Sequence, residues 1–165
     1  MTLLRSSISF HPLKAAGVAA AMLLSASASH AEGPFAGFEG SWSGTGTVAL
    51  SDGTKERIRC RATYKVGGGG NQLAQTLRCA SDSYKFDLSA DVASNGDRIS
   101  GNWSEASRNI NGNLQGKAGG GNIEVFVEAA GFAANISLTT RGNKQSVAIS
   151  SKGDIRGVNI SMTKG

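Results

Sequence analysis

From Trp42 to Met162 apolar residues recur at nearly every second position, and no stretch beyond the N-terminal lead keeps a helical period. Period two is the signature of a strand with one buried face. The alternation is interrupted at Asp52-Gly53, Gly67 to Asn71, Ser81-Asp82, Asn95-Gly96, Ser107 to Asn109, Gly119 to Asn122, Ala130-Gly131, Gly142-Asn143 and Lys152 to Asp154. These are Gly-, Asn- and Asp-bearing turn sites arriving about every 8 to 12 residues, and no proline follows Pro34. Nine turns between strands that alternate in this way predict an all-β protein, an antiparallel up-and-down β-barrel of eight to ten strands.

A slip of one residue would turn every side chain to the wrong face, so apolar parity restricts the pairings. A three-residue loop at Asp52-Gly53-Thr54 sets Val48 opposite Ile58, Gly46 opposite Cys60 and Trp42 opposite Tyr64. Centring the next turn in Gly67 to Gly70 sets Val66 opposite Leu73, Ala62 opposite Leu77 and Cys60 opposite Cys79. Directly opposed residues lie within disulfide reach, so one cross-strand disulfide is expected. Asn95-Gly96 is a type I′ hairpin signal and would pair Leu88 with Trp103 and Val92 with Ile99. The expected interior carries Trp42, Tyr64, Phe86, Leu88 and Trp103 among the small residues Gly44, Gly46, Ala62 and Ala90. In the second half, Ile110, Leu114, Ile123, Val125, Val127, Phe132, Ile136, Leu138, Val147, Ile149, Val158, Ile160 and Met162 fall on the inward parity. Gly112 and Gly116 alternate with asparagines and Gln115, so that strand is expected to bend sharply or to lie at an edge.

The first 31 residues follow a different pattern. Arg5 and Lys14 precede a run of small and apolar residues from Ala15 to Ala28, and Ser29-His30-Ala31 offers a small-residue cleavage site. That layout predicts a secretory signal peptide, residues 1–31, cut after Ala31, with a single domain over 32–165 in the periplasm or outside the cell. Both histidines, His11 and His30, lie in the segment to be removed, so the mature chain would lack an imidazole. Of the 17 basic residues two lie in this segment and all 12 acidic residues follow it, which leaves the mature domain near +3 rather than +5. Two cysteines in an exported chain fit an oxidising compartment. No later apolar run reaches the roughly 20 residues of a spanning helix, so a membrane-spanning protein is not expected.

Gly40-Ser41-Trp42 resembles the opening strand of lipocalin-like and avidin-like barrels, and Gly101-Asn102-Trp103 repeats the pattern. The resemblance implies a barrel with the tryptophan packed across one end. The segments "SDGTKERIRCRATY" (51–64), "LRCASDSYKFDL" (77–88) and "GNWSE" (101–105) resemble a family of small exported proteins of Gram-negative bacteria. That resemblance covers most of the mature chain and implies export and a Cys60–Cys79 pair. It implies no catalytic residue.

Three functional readings compete. Lys55, Arg57, Arg59, Arg61 and Lys65 share the outward parity of one strand, and the register sets Arg61 opposite Arg78, with Lys85 expected on Arg78's far side. Such a face could bind an anionic envelope component through Arg57, Arg59, Arg61, Arg78 and Lys85. The plainer reading is a charged cover that deters edge-to-edge aggregation, with Asp82 near Arg57 and Asp87 near Lys85 neutralising part of it. The second reading is a ligand pocket inside the barrel, bordered by Trp42, Tyr64, Tyr84, Phe86, Trp103, Glu56 and Glu105, that carries a small amphipathic molecule without catalysis. The third makes Glu56 and Glu105 the two carboxyls of a hydrolase. No metal or cofactor is expected: without histidine, and with both cysteines paired, zinc has no suitable ligands. A nucleic-acid partner is not expected either, because no aromatics interleave with the arginines. Gly67 to Gly70 precedes a strand, which makes it a flexible hairpin loop rather than a phosphate loop. Phe126, outward between Glu124 and Glu128, is a candidate contact residue.

Overall fold

In the computed structural model the described residues are 32–165; the expected signal peptide and its cleavage site lie outside them. Ten strands follow one another: β1 (Gly40–Leu50), β2 (Lys55–Gly67), β3 (Gln72–Ala80), β4 (Lys85–Asn95), β5 (Arg98–Glu105), β6 (Ile110–Gly119), β7 (Asn122–Ala129), β8 (Phe132–Arg141), β9 (Lys144–Ser151) and β10 (Ile155–Lys164). Each pairs antiparallel with its neighbours in sequence, and β1 pairs with β10, from Trp42 opposite Lys164 to Leu50 opposite Ile155. The result is a closed up-and-down barrel with connections at all nine expected turn sites. Every inward position expected in the second half is buried or half-buried, Val147 and Ile149 among them.

Cys60 faces Cys79 across β2 and β3 with their Cα atoms 4.1 Å apart, and the two sulfurs are bonded. Ala62 opposite Leu77 and Val66 opposite Leu73 also stand as expected. Two hairpins differ from expectation by two residues, with parity kept. In the first, Asp52 accepts hydrogen bonds from the Thr54 amide (2.9 Å) and hydroxyl (2.7 Å), the Leu50 amide donates to the Thr54 carbonyl (2.9 Å), and the turn is centred on Asp52 rather than Gly53. Trp42 therefore faces Ala62, Gly44 faces Cys60 and Gly46 faces Ile58. In the second, Gly96 alone has positive φ (65°), which suits a II′ rather than a I′ loop, and Asn95 pairs with Arg98. Trp103 then faces Ala90, Leu88 faces Glu105 and Val92 faces Gly101. Both shifts exchange large-on-large pairs for large-on-small ones, which a narrow closed barrel requires.

The strand expected to bend sharply or to form an edge is β6, and it pairs in unbroken register with β5 and β7, its glycines serving close approach to β7. A Cβ on Gly112 would meet the Glu128 carbonyl oxygen at 1.9 Å and Trp103 Nε1 at 2.6 Å, and one on Gly116 would meet the Glu124 carbonyl oxygen at 1.9 Å. Closure leaves β6 no free edge.

One end of the barrel is plugged. A single 3-10 turn, Ala36–Phe38, precedes β1 and places Phe35 and Phe38 in full burial. Phe38 meets the Tyr64 ring edge-on with centroids 6.0 Å apart, and its carbonyl accepts a hydrogen bond from Trp42 Nε1 at 2.9 Å. The lead is fastened by the glycine run expected to be a flexible loop: the Gly33 amide donates to the Gly69 carbonyl (2.8 Å), and the Phe35 amide to the Gly70 carbonyl (3.0 Å). Gly70 (φ 91°) lets the two backbones touch; a Cβ on Gly33 would lie 2.3 Å from Gly70. Gly67 to Gly70 is thus a clasp for the plug.

The disulfide closes a 19-residue separation, which should contribute about 3 kcal/mol by restricting the unfolded chain. Cys60→Ala/Cys79→Ala should remain folded and lose that amount in urea denaturation. An unchanged midpoint would show that the register holds the hairpin without the bond.

Candidate functional site

Plugging one end leaves the other as the entrance. The connections β1–β2, β3–β4, β5–β6, β7–β8 and β9–β10 all lie at that end. Below it is a cavity of about 480 Å³. Its floor is Phe35, its walls are apolar side chains such as Leu88, Val125, Ile136 and Ile149, and its lip carries Tyr84, Glu105, Arg108 and Asp154. The wall explains why inward-facing Leu88, Val92, Val125, Ile136, Ile149 and Ile155 are only half-buried. A well-packed interior leaves few voids larger than a water molecule, so this barrel is not filled by its own side chains. Its volume lies in the range of small-molecule sites, about 300–1,000 Å³.

One side of the lip is layered. Tyr84 and Phe86 stack with centroids 6.3 Å apart and planes 7° from parallel. The Arg108 guanidinium lies 5.0 Å over the Phe86 ring, 3.6 Å from the Glu105 carboxylate, and donates to the Lys85 carbonyl at 3.4 Å. Glu105, buried at the end of β5, accepts from the amides of Asp87 (2.9 Å), Ser107 (3.2 Å) and Arg108 (2.8 Å). Burial pushes its carboxyl up, but these amides and the Ser107 side chain outweigh it, and the net shift is downward. Glu105 is therefore an ionised clamp on the β5–β6 turn. A glycosidase general acid needs the opposite shift. Glu56 faces Val48 on β1 and accepts from the Ser81 hydroxyl at 2.7 Å, outside the cavity wall.

Of the expected pocket residues, Tyr84, Phe86, Trp103 and Glu105 line the cavity together. Trp103 leans on Phe132 with centroids 5.7 Å apart and donates from Nε1 to the Asn113 carbonyl at 3.2 Å. Trp42 and Tyr64 stand apart from them, in the plug. There Tyr64 donates to Gln145 Oε1 (2.9 Å), and Gln145 Nε2 donates to the Thr140 hydroxyl (3.0 Å). Burial pushes the Tyr64 hydroxyl well above the usual phenol range, so it stays protonated. Gln145 and Thr140 were not anticipated, although Gln145 shares the inward parity of Val147 and Ile149.

On the outer wall Arg57, Arg59 and Arg61 project along β2, and Arg61 faces Arg78. The neighbour of Arg78 on β4 is Asp87, not Lys85 as expected, and the two form an ion pair at 3.3 Å. Lys85 faces Ala80. Among the described residues the ion pairs are Arg78–Asp87 and Arg108–Glu105, so Asp82 forms none with Arg57. Phe126 is exposed on β7, across the barrel.

The chain matches no protein-family model and no curated protein by sequence. Among solved structures it is similar to Rv2717c from M. tuberculosis, with a TM-score of 0.63 and 12% identity over 79% of this chain and 94% of that one. It is also similar to the S-type phycobiliprotein lyase CPES from Guillardia theta, with a TM-score of 0.54 and 9% identity over 79% and 90% of the two chains. Both are lipocalin-like barrels, and the likeness is one of fold.

The clamp predicts a pH dependence with a definite sign. Because the folded carboxyl of Glu105 titrates below its ordinary 4.5, its contribution is complete above that pH and is lost as pH falls through the folded value. Glu105→Gln should cost about 1–3 kcal/mol at pH 7. The gap between the two proteins should narrow at pH 3 in urea titrations; an equal gap at both pH values would reject the ionised clamp.

Proposed function

We propose that this protein is an exported, non-catalytic carrier of a small amphipathic molecule, held in the barrel with its polar end at the lip. The observation that carries the proposal is the cavity of about 480 Å³, closed by Phe35 below, mostly apolar along its walls with Gln75 as a deeper polar group, and carrying its charged groups at the mouth. An apolar wall favours the tail through the hydrophobic effect, at about 25 cal/mol per Å² removed from water. Tyr84, Arg108 and Asp154 can meet a polar end without burying it. The likeness to lipocalin-like barrels is consistent with ligand binding in the interior. Export is supported by the pattern of residues 1–31 and by a disulfide suited to an oxidising compartment. Membership of a family of small exported Gram-negative proteins is supported by the segments 51–64, 77–88 and 101–105.

Native mass spectrometry of protein purified from its own periplasm should give an adduct that is lost on denaturation. An environment-sensitive apolar dye should bind the emptied protein. Leu88→Trp/Ile136→Trp, which fills the cavity from two facing walls, should weaken dye binding about tenfold or more while the disulfide-bonded fold survives in circular dichroism. Undiminished binding in that folded variant would reject the cavity as the site.

A further inference from the structure

We propose a second site, independent of the cavity: the outer wall along β1 and β2 docks an acidic polysaccharide. Lys55, Arg57, Arg59 and Arg61 stand exposed on successive alternate positions of β2, about 7 Å apart, and Lys65 follows beyond Thr63, about 33 Å from Lys55. None of the five is in an ion pair among the described residues; Arg61 directly faces Arg78, and although Asp87 neutralises Arg78 on its far side, Arg61, Arg59 and Arg57 have no acidic partner there. A charged strand is commonly explained as protection of a free edge, but β2 is hydrogen-bonded on both sides in a closed barrel. The stripe has no edge to protect.

What lies beside the stripe selects the kind of polymer. Thr47, Thr45 and Ser43 of β1 face Arg57, Arg59 and Arg61. Shallow depressions open on both sides of β1 and share Thr45; one holds Arg59 and Arg61, the other Arg57 with Asn159, Ser161, Ser146 and Ser137 from β10, β9 and β8. These short side chains donate and accept hydrogen bonds, and the side chains of Asn159, Ser161, Ser146 and Ser137 are exposed and bond to none of the described residues. A guanidinium row takes carboxylate or sulfate groups, and a bed of hydroxyls and an amide takes sugar hydroxyls. No outward position of β1, β2, β8, β9 or β10 is aromatic, and Phe86 at the border of the Arg59–Arg61 depression has its ring between Tyr84 and Arg108, which disfavours single-stranded nucleic acid. It offers no exposed apolar side chain to enter a bilayer; Phe126 lies on β7, beyond β8. Glu124 and Glu128, also on β7, put negative charge at the far border and steer a polyanion towards β2.

The test measures binding of dextran sulfate and polygalacturonate to the purified protein by calorimetry, with uncharged dextran as the reference. Both acidic polymers should bind, dextran should not, and added salt should weaken the binding. Arg57→Gln/Arg59→Gln/Arg61→Gln removes three exposed contacts and should weaken it about tenfold. Arg98→Gln/Lys117→Gln/Lys152→Gln removes equal charge away from the stripe and should change it by less than about twofold. Equal losses in the two variants, equal binding of dextran, no binding of either acidic polymer, or tighter binding to anionic vesicles or single-stranded DNA would each overturn the proposal. Filling the cavity with Leu88→Trp/Ile136→Trp should leave polymer binding unchanged, which keeps failure of one site distinct from failure of the other.

Discussion

The pairing of β1 with β10 is the constraint under which the other features of this barrel take their form. Once Trp42 stands opposite Lys164 and the ladder runs on to Leu50 and Ile155, no strand has a free edge and the interior has a fixed girth. A fixed girth turns side-chain volume into a condition on register. Trp42 and Trp103 each need a small residue opposite, and Ala62 and Ala90 are where the ladder supplies one. The glycines of β6 serve the same closure, because Gly112 and Gly116 sit where a methyl group would strike the backbone of β7. The disulfide adds a covalent tie within a hairpin whose register already brings Cys60 to Cys79.

Closure also separates the two ends. The plug gathers the large rings of Phe35, Phe38, Trp42 and Tyr64 at one end, and its only deep polar groups satisfy one another through Tyr64, Gln145 and Thr140. Beyond that concentration of bulk the interior is lined mainly by branched aliphatic residues, with Tyr84, Phe86, Trp103 and Phe132 among them, and they do not meet across the centre. The cavity is thus a consequence of where the aromatic volume was placed. Its lip is kept in shape by Glu105, whose acceptance of three amides fixes the β5–β6 turn and with it the Arg108 guanidinium over Phe86.

The sequence was most legible where one residue type had one consequence. Period-two alternation and nine turn clusters imply a meander, and apolar parity with the turn centred in Gly67 to Gly70 puts Cys60 against Cys79. Residue Glu105 and the aromatics Tyr84, Phe86 and Trp103 were placed at one site by parity as well. Register in the first and fourth hairpins was not legible to within two residues. Parity is blind to a shift of two, and the deciding facts were the Asp52 carboxylate bonding Thr54 and the backbone sign at Gly96. The plug escaped notice for a different reason. Phe35 and Phe38 precede the first strand, and nothing in their spacing shows that Gly33 will meet Gly70 some 37 positions later.

A closed barrel has two surfaces whose chemistry is set independently, since successive residues of each strand serve opposite faces. In β2 the inward set is Ile58, Cys60, Ala62 and Tyr64, while the outward set is Arg57, Arg59, Arg61 and Thr63. The inward set is committed by packing and by the sulfur bond; the outward set is under no packing demand at all. Edge protection cannot account for it, and one aspartate, Asp87, is committed to Arg78. Repulsion along the wall is therefore a cost that the fold carries without return from folding, and stability alone would exchange some of these cations for neutral residues. That difference between what folding requires of β2 and what its outer face contains is the physical ground for assigning a partner to the wall, separately from whatever enters the mouth.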